Sequence, residues 1–114
     1  MISIWPAFGN SSDIYKEMLA NNCLLLKGEH WESSAKVYDA YNEKAREIYW
    51  KYFNQTMGDI DAWWLDGAEP ELRSTDDRYL TEISTKSLGD NALGSFKEYL
   101  NTYSLMSCKG VYEN

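Results

Sequence analysis

Residues 58–71 read GDIDAWWLDGAEPE, and their surroundings set the fold. Ahead of them Ala45, Ile48, Tyr49, Tyr52 and Phe53 recur at i, i+3, i+4, i+7 and i+8, the stripe of an amphipathic helix, with Asn42 at its N-cap. Gly58 falls where such a helix ends in a left-handed conformation. Ile60 to Leu65 then reads as a strand apolar enough to be largely buried, as parallel strands are. Helix, glycine and apolar strand form the second half of a parallel α/β unit. Side chains alternate along a strand, so Ile60, Ala62, Trp64 and Asp66 share one face and Trp63 and Leu65 the other.

Upstream, Ile2-Ser3-Ile4-Trp5 alternates as a strand does and is stopped by Pro6, with a turn at Gly9 and Asn10. Ser11 or Ser12 caps a helix running to about Asn21, with Ile14, Tyr15, Met18 and Leu19 on its buried face. Cys23 to Leu26 is a short apolar run of strand type, and Lys27 to Lys36 is polar and turn-like around Gly28. Downstream, residues 72–84 are charged and irregular. A last helix runs from about Ser87 or Asn91 to Met106, with Phe96, Leu100 and Tyr103 on one face. The order predicts an α/β fold with two or three parallel strands and about three helices. A closed barrel of eight strand–helix units takes about 250 residues, and 114 supply less than half of one.

A net charge of −7 speaks against a nucleic-acid backbone or an anionic membrane as partner. No apolar run approaches the roughly 20 residues of a membrane span. Met1 leads straight into ISIWP, so no signal peptide is expected, and the compartment cannot be read from this end. Cys23 and Cys108 belong to no CxxC and read as free thiols. A single histidine, His30, argues against a histidine-based zinc site or a Ser/His/Asp triad. No cofactor is indicated. A metal site from Asp59, Asp61, Asp66, Glu69 and Glu71 would need acids from both ends of one strand, since Asp59 and Asp61 precede it.

Asp66 ends its strand, and Gly67 opens the loop that follows. An indole offers a flat apolar surface to the C–H face of a sugar ring, and a carboxylate beside it can attack the anomeric carbon. Glycosidases generally use a carboxylate pair, about 5 Å apart in the retaining kind. Asp66 and Glu69, three residues apart on a loop, do not by spacing identify that pair. A solvated acidic turn after a core strand fits the same residues.

The run YDAYNEKAREIYWKYF…GDIDAWWLDGAEPE resembles the nucleophile region of family 31 glycoside hydrolases, retaining α-glycosidases built on a (β/α)8 barrel. The family pattern is an aromatic, a hydrophobic residue, the nucleophilic aspartate, two variable residues and a glutamate; here it reads Trp64-Leu65-Asp66-Gly67-Ala68-Glu69. The branch it is most similar to, α-xylosidase-like, more often has Ala-Thr where this chain has Gly67-Ala68. ISIWPAFG is similar to the preceding barrel strand, GEHWESSAKVYDAYN to the aromatic loop before the helix, and LNTYSLMSCKGVYEN to the helix after the nucleophile's insert. By this resemblance Asp66 is the nucleophile, Trp64 an aromatic wall of the sugar site, Trp31 a loop tryptophan lining the same pocket, Glu69 a support for the loop and Phe8 an apolar lining residue. For Trp31 an anchor on the core is the competing reading; Trp5, Trp50 and Trp63 read as core.

The resemblance further implies a single segment of the catalytic barrel, residues 1–114, that is not a complete domain. The general acid/base and the substrate-binding acids of earlier strands would lie outside it, leaving the isolated chain inactive. The implied partner is an α-linked oligosaccharide, and a bacterial periplasmic or secreted parent is compatible with it. A non-catalytic carbohydrate-binding or assembly module reusing the scaffold is the alternative, motivated by 15% aromatic residues. A partial parallel sheet would leave strand edges uncovered, so self-association or closure into a compact arrangement other than a barrel is expected.

Overall fold

The computed structural model describes residues 1–25, 34–68, 82, 85, 86 and 88–114. The chain opens with β1 (Ile2–Ile4), and Trp5 and Pro6 redirect it into β2 (Ala7–Gly9). Next come α1 (Asp13–Ala20), β3 (Ala35–Val37), α2 (Glu43–Met57) and β4 (Trp63–Leu65). A hairpin of β5 (Asp90–Asn91) and β6 (Gly94–Ser95) leads into α3 (Phe96–Tyr99), one 3-10 turn over Leu100–Thr102, and α4 (Tyr103–Tyr112).

The parallel pair is β1 beside β4, with Ile2, Ser3 and Ile4 opposite Trp63, Trp64 and Leu65. The other pairs differ from the expected parallel arrangement. β2 runs antiparallel to β3, and β5 antiparallel to β6. Leu24 makes a single antiparallel bridge to Tyr38, so the run from Cys23 is buried chain rather than a strand of its own. Lys36, expected in a polar turn, sits in β3 opposite Phe8. No closed barrel forms among the described residues.

The first two helices begin as expected. Ser12 Oγ accepts from Tyr15 N–H at 3.3 Å and also donates to Gly9 O at 2.7 Å. Asn42 Oδ1 accepts from Lys44 N–H at 2.9 Å, satisfying one of the four unpaired amides at the start of α2. Ile14 and Met18 are buried on α1 and Ala45, Ile48 and Tyr49 on α2, while Leu19 turns to solvent. Gly58 has φ +61 but ψ −146. That is an extended mirror-image conformation, open essentially to glycine alone, and not the left-handed helical turn.

The last helix starts at Phe96 and continues past Met106 to Tyr112. The Gly89–Gly94 segment folds back as the short hairpin, with Phe96 N–H bonded to Gly89 O at 3.0 Å. Phe96 and Tyr103 are fully buried as the spacing predicted, and Leu100 packs on the same core from its edge.

That core accounts for most of the aromatic excess. Tyr38 stacks on Tyr49 with ring centroids 4.7 Å apart, and Tyr103 meets Tyr38 edge-on at 6.4 Å. Phe8 fits against both Tyr38 and Tyr49, and Tyr41 bridges Phe96, Tyr99 and Tyr103. Such pairs add about 0.5–1.5 kcal/mol each beyond area burial. The buried hydroxyls are satisfied: Tyr103 Oη donates to Tyr38 O at 2.8 Å and Tyr38 Oη to Ser107 Oγ at 3.2 Å. Burial raises the pKa of both phenols well above the ordinary range, so they stay neutral donors.

Candidate active site

Strand β4 covers only Trp63–Leu65 of the expected run from Ile60, and among the described residues it is paired on one side. Its burial alternates as the pleat requires. Trp63 and Leu65 pack on the core, Trp63 edge-on against Trp50 at 5.7 Å and Phe53 at 6.2 Å on α2. Trp64 points the other way and is 56% exposed. The expected largely buried strand is therefore half-buried. One face is covered by α2, and among the described residues no helix covers the other.

Asp66 follows at the C-terminal end of β4 and is solvent-exposed. Its N–H extends the ladder onto Ile4 O at 3.1 Å, which fixes its backbone to the exit of β1. Its carboxylate Oδ1 accepts from Gly67 N–H at 2.9 Å, and Oδ2 has no partner among the described residues. One oxygen is thus oriented by the amide of the next residue. Trp64 lies two residues earlier on the same face, so the structure brings this aromatic and this acid to one open surface.

Two contacts hold the residues just after Asp66, and a third anchors one of their partners. Gly67 adopts φ +55 with the Trp5 indole directly over it; a Cβ there would lie 2.5 Å from Trp5 Cε3 and 2.6 Å from Cζ3. Ser104 Oγ of α4 donates to Ala68 O at 2.7 Å, and Ala68 is buried. Trp5 O in turn accepts from Tyr49 Oη at 3.3 Å, tying the exit of β1 to α2. Trp5, read from the sequence as core, is half-buried and seated on the aspartate's loop instead. The sequence signal for it was position: it ends the strand whose parallel neighbour ends in Asp66.

Phe8, expected to line the sugar pocket, is only 8% exposed, its ring 5.8 Å from Tyr49 and 6.3 Å from Tyr38. It lies in the aromatic core, because β2 turns inward onto β3 instead of ending at the rim. Trp31 and Glu69 lie outside the described residues, as do His30 and Glu71. Asp59 and Asp61 line a cleft of about 280 Å³ with Trp50, Asn54 and Trp63, at the entry to β4 and away from Asp66. Among the described residues no three His, Cys, Asp or Glu side chains converge as a metal site would require, and no helix is long and apolar enough to cross a membrane. Cys23 and Cys108 are both free, Cys23 buried and Cys108 exposed.

A carboxylate at the C-terminal end of a parallel strand, with an indole on its face, is where barrel enzymes carry their chemistry. All 114 residues, 1–114, match the family described as the glycosyl hydrolases family 31 TIM-barrel domain. The chain belongs to glycoside hydrolase family 31. Within that family it is 35% identical over 114 residues to an α-xylosidase of Saccharolobus solfataricus, covering 98% of this chain and 14% of the relative. An uncharacterized family 31 glucosidase of Pseudescherichia vulneris is 30% identical over 84 residues, 67% of this chain and 16% of that protein. Among solved structures, the family 31 α-xylosidase of Xanthomonas citri superposes with a TM-score of 0.81 at 36% identity, over 98% of this chain and 13% of that one. A family 31 α-xylosidase from a soil metagenome, solved with xylose, gives 0.76 at 27% identity, over 99% and 17%. The chain thus spans about a seventh of the length of the family 31 proteins it matches.

Proposed function

We propose that these residues are one segment of the catalytic barrel of a retaining α-glycosidase, of α-xylosidase or α-glucosidase type, and that Asp66 is its nucleophile. The placement of Asp66 carries the reading: an exposed carboxylate at the end of a parallel strand, with Oδ1 held by Gly67 N–H, two residues from the exposed Trp64 on the same strand face. In the first step a carboxylate oxygen of Asp66 donates an electron pair to the anomeric carbon while the bond to the leaving oxygen breaks. An acid protonates that oxygen as it departs. In the second step the same group, now a base, takes a proton from water, whose oxygen displaces Asp66 from the anomeric carbon.

Trp64 is the proposed wall for the C–H face of the sugar. Trp31 is proposed beside it, and Glu69 as the acid that supports the loop. The acid/base is proposed to come from outside these 114 residues, as is most of what selects the sugar, so the substrate is drawn only as a terminal α-linked oligosaccharide.

Two measurements test the reading. In the full-length enzyme carrying this segment, Asp66→Ala lowers kcat by about 10⁴-fold or more on an α-xyloside or α-glucoside; activity within an order of magnitude of the parent would remove Asp66 from the mechanism. The 114-residue chain by itself shows no turnover of an aryl α-glycoside, and substantial turnover would contradict the segment assignment. Measurable affinity of that chain for α-linked sugars, with full activity in Asp66→Ala, would support a binding module instead.

A further inference from the structure

We infer that Trp5 is a positioning residue for Asp66, acting through Gly67. The inference rests on the nucleophile reading above and adds how that carboxylate is aimed. Asp66 makes one hydrogen bond from its carboxylate among the described residues, and the donor is the next residue's own amide, Gly67 N–H to Oδ1 at 2.9 Å. The direction of that N–H is set by the peptide joining residues 66 and 67. The peptide before it, joining residues 65 and 66, is held by the ladder bond from Asp66 N–H to Ile4 O. The far side of the 66–67 peptide, at Gly67, is bounded by the indole of Trp5, packed where a side chain on residue 67 would stand.

The contact leaves no slack. A Cβ at 67 would fall 2.5 and 2.6 Å from two carbons of the six-membered ring and 3.2 Å from a third, far inside van der Waals contact. The backbone that carries the indole is anchored, the Trp5 carbonyl by Tyr49 Oη and the following carbonyl, of Pro6, by Tyr38 N–H at 3.0 Å, so relief is left to rotation of the indole or of the 66–67 peptide. A larger residue at 67 loads that peptide, and with it the hydrogen bond that orients Oδ1. A smaller residue at 5 removes the surface against which Gly67 rests. A nucleophile displaced by about 1 Å can lose some 10²-fold in rate with little change in ground-state binding. The pair so assigned, Trp5 and Gly67, should be coupled in kcat and not in KM.

The test is a double-variant cycle in the full-length enzyme, with unfolding midpoints measured alongside. Gly67→Ala should lower kcat by about 10–100-fold with KM within about threefold. Trp5→Leu should lower kcat by several-fold, and Trp5→Phe, which keeps a ring, by less. The double variant Trp5→Leu/Gly67→Ala should recover about tenfold in kcat over Gly67→Ala alone, part of the loss persisting because φ +55 still disfavours alanine. Effects that multiply without coupling, or that appear in KM alone, overturn the inference. If Gly67→Ala does not fold, Trp5→Leu decides: an unchanged kcat rejects the positioning role. Asp66→Ala, assayed in the same series, separates the two ideas, because its inactivity without coupling at 5 and 67 rejects the positioning role and leaves the nucleophile in place.

Discussion

Asp39 shows how much a single buried acid can organise. Its Oδ1 accepts from Tyr41 N–H at 3.1 Å and Oδ2 from Ala92 N–H at 2.7 Å, so one carboxylate joins the entry of α2 to the β5–β6 hairpin. Asp39→Ala strands both amides and should cost about 1–3 kcal/mol for each that stays buried, read from denaturant midpoints. Burial raises the pKa of Asp39 above its ordinary 3.8, with the amides of Ala92, Tyr41 and Asn42 and the Arg46 charge acting against it. A group whose folded pKa is raised stabilises the fold fully below 3.8 and loses that contribution as pH rises through the higher folded value. The stability of wild type relative to Asp39→Asn should therefore fall as pH increases from 3.8; a difference flat in pH would contradict the assignment. Nothing in the local sequence YDAYN announces this role, because Ala92 lies fifty-three residues away. Asp66 was legible for the opposite reason: its position depends on a local strand pattern and a short motif.

At the scale of elements, α2 and α4 pack through Gly110. A Cβ there would meet the Arg46 stem at 3.1–3.2 Å. Alanine gains about 1 kcal/mol over glycine in helix propensity, and overpacking typically costs about 1–3 kcal/mol. Whether Arg46 can yield decides the sign. Its guanidinium donates to Ala40 O at 2.9 Å and Tyr41 O at 3.2 Å, and the side chain is buried, so it has little room to move. Gly110→Ala should then destabilise by about 1 kcal/mol net, and a raised melting temperature would show that Arg46 gives way. The start of α2 could be read from Asn42 and its apolar stripe, because a cap and a 3.6-residue period are local. The β2–β3 pair and the β5–β6 hairpin could not be, being two or three residues per strand and stabilised by what they pack against. The charged neighbours of the hairpin made a continuous helix from Asn91 an equally good local reading.

For the whole molecule, β1 and β4 are each paired on one side only among the described residues, and Trp64 stands in solvent on the uncovered face. Leu93, Leu105 and Tyr112 are also largely exposed. Unpaired edges and open apolar groups favour association with further chain or with another copy. The 114-residue chain should therefore sediment with a concentration-dependent mass, and Trp64→Lys should shift it toward monomer. A monodisperse monomer at every concentration would mean that these surfaces are tolerated as they stand.

The sequence by itself determined the α/β class, the capped helices, the parallel strand ending in Asp66 and, through the motif around it, the family. The first three rest on spacing within a few residues, where backbone geometry and side-chain period leave few choices; the family rests on resemblance to a known motif. Only the tertiary structure decided where the aromatics go: Phe8 into the core, Trp63 onto α2, and Trp5 onto Gly67. An indole is equally suited to a core, a helix contact or a ligand face, and which one it meets depends on chain many residues away. The same holds for Gly67, whose positive φ and close approach to Trp5 are set only in the folded chain.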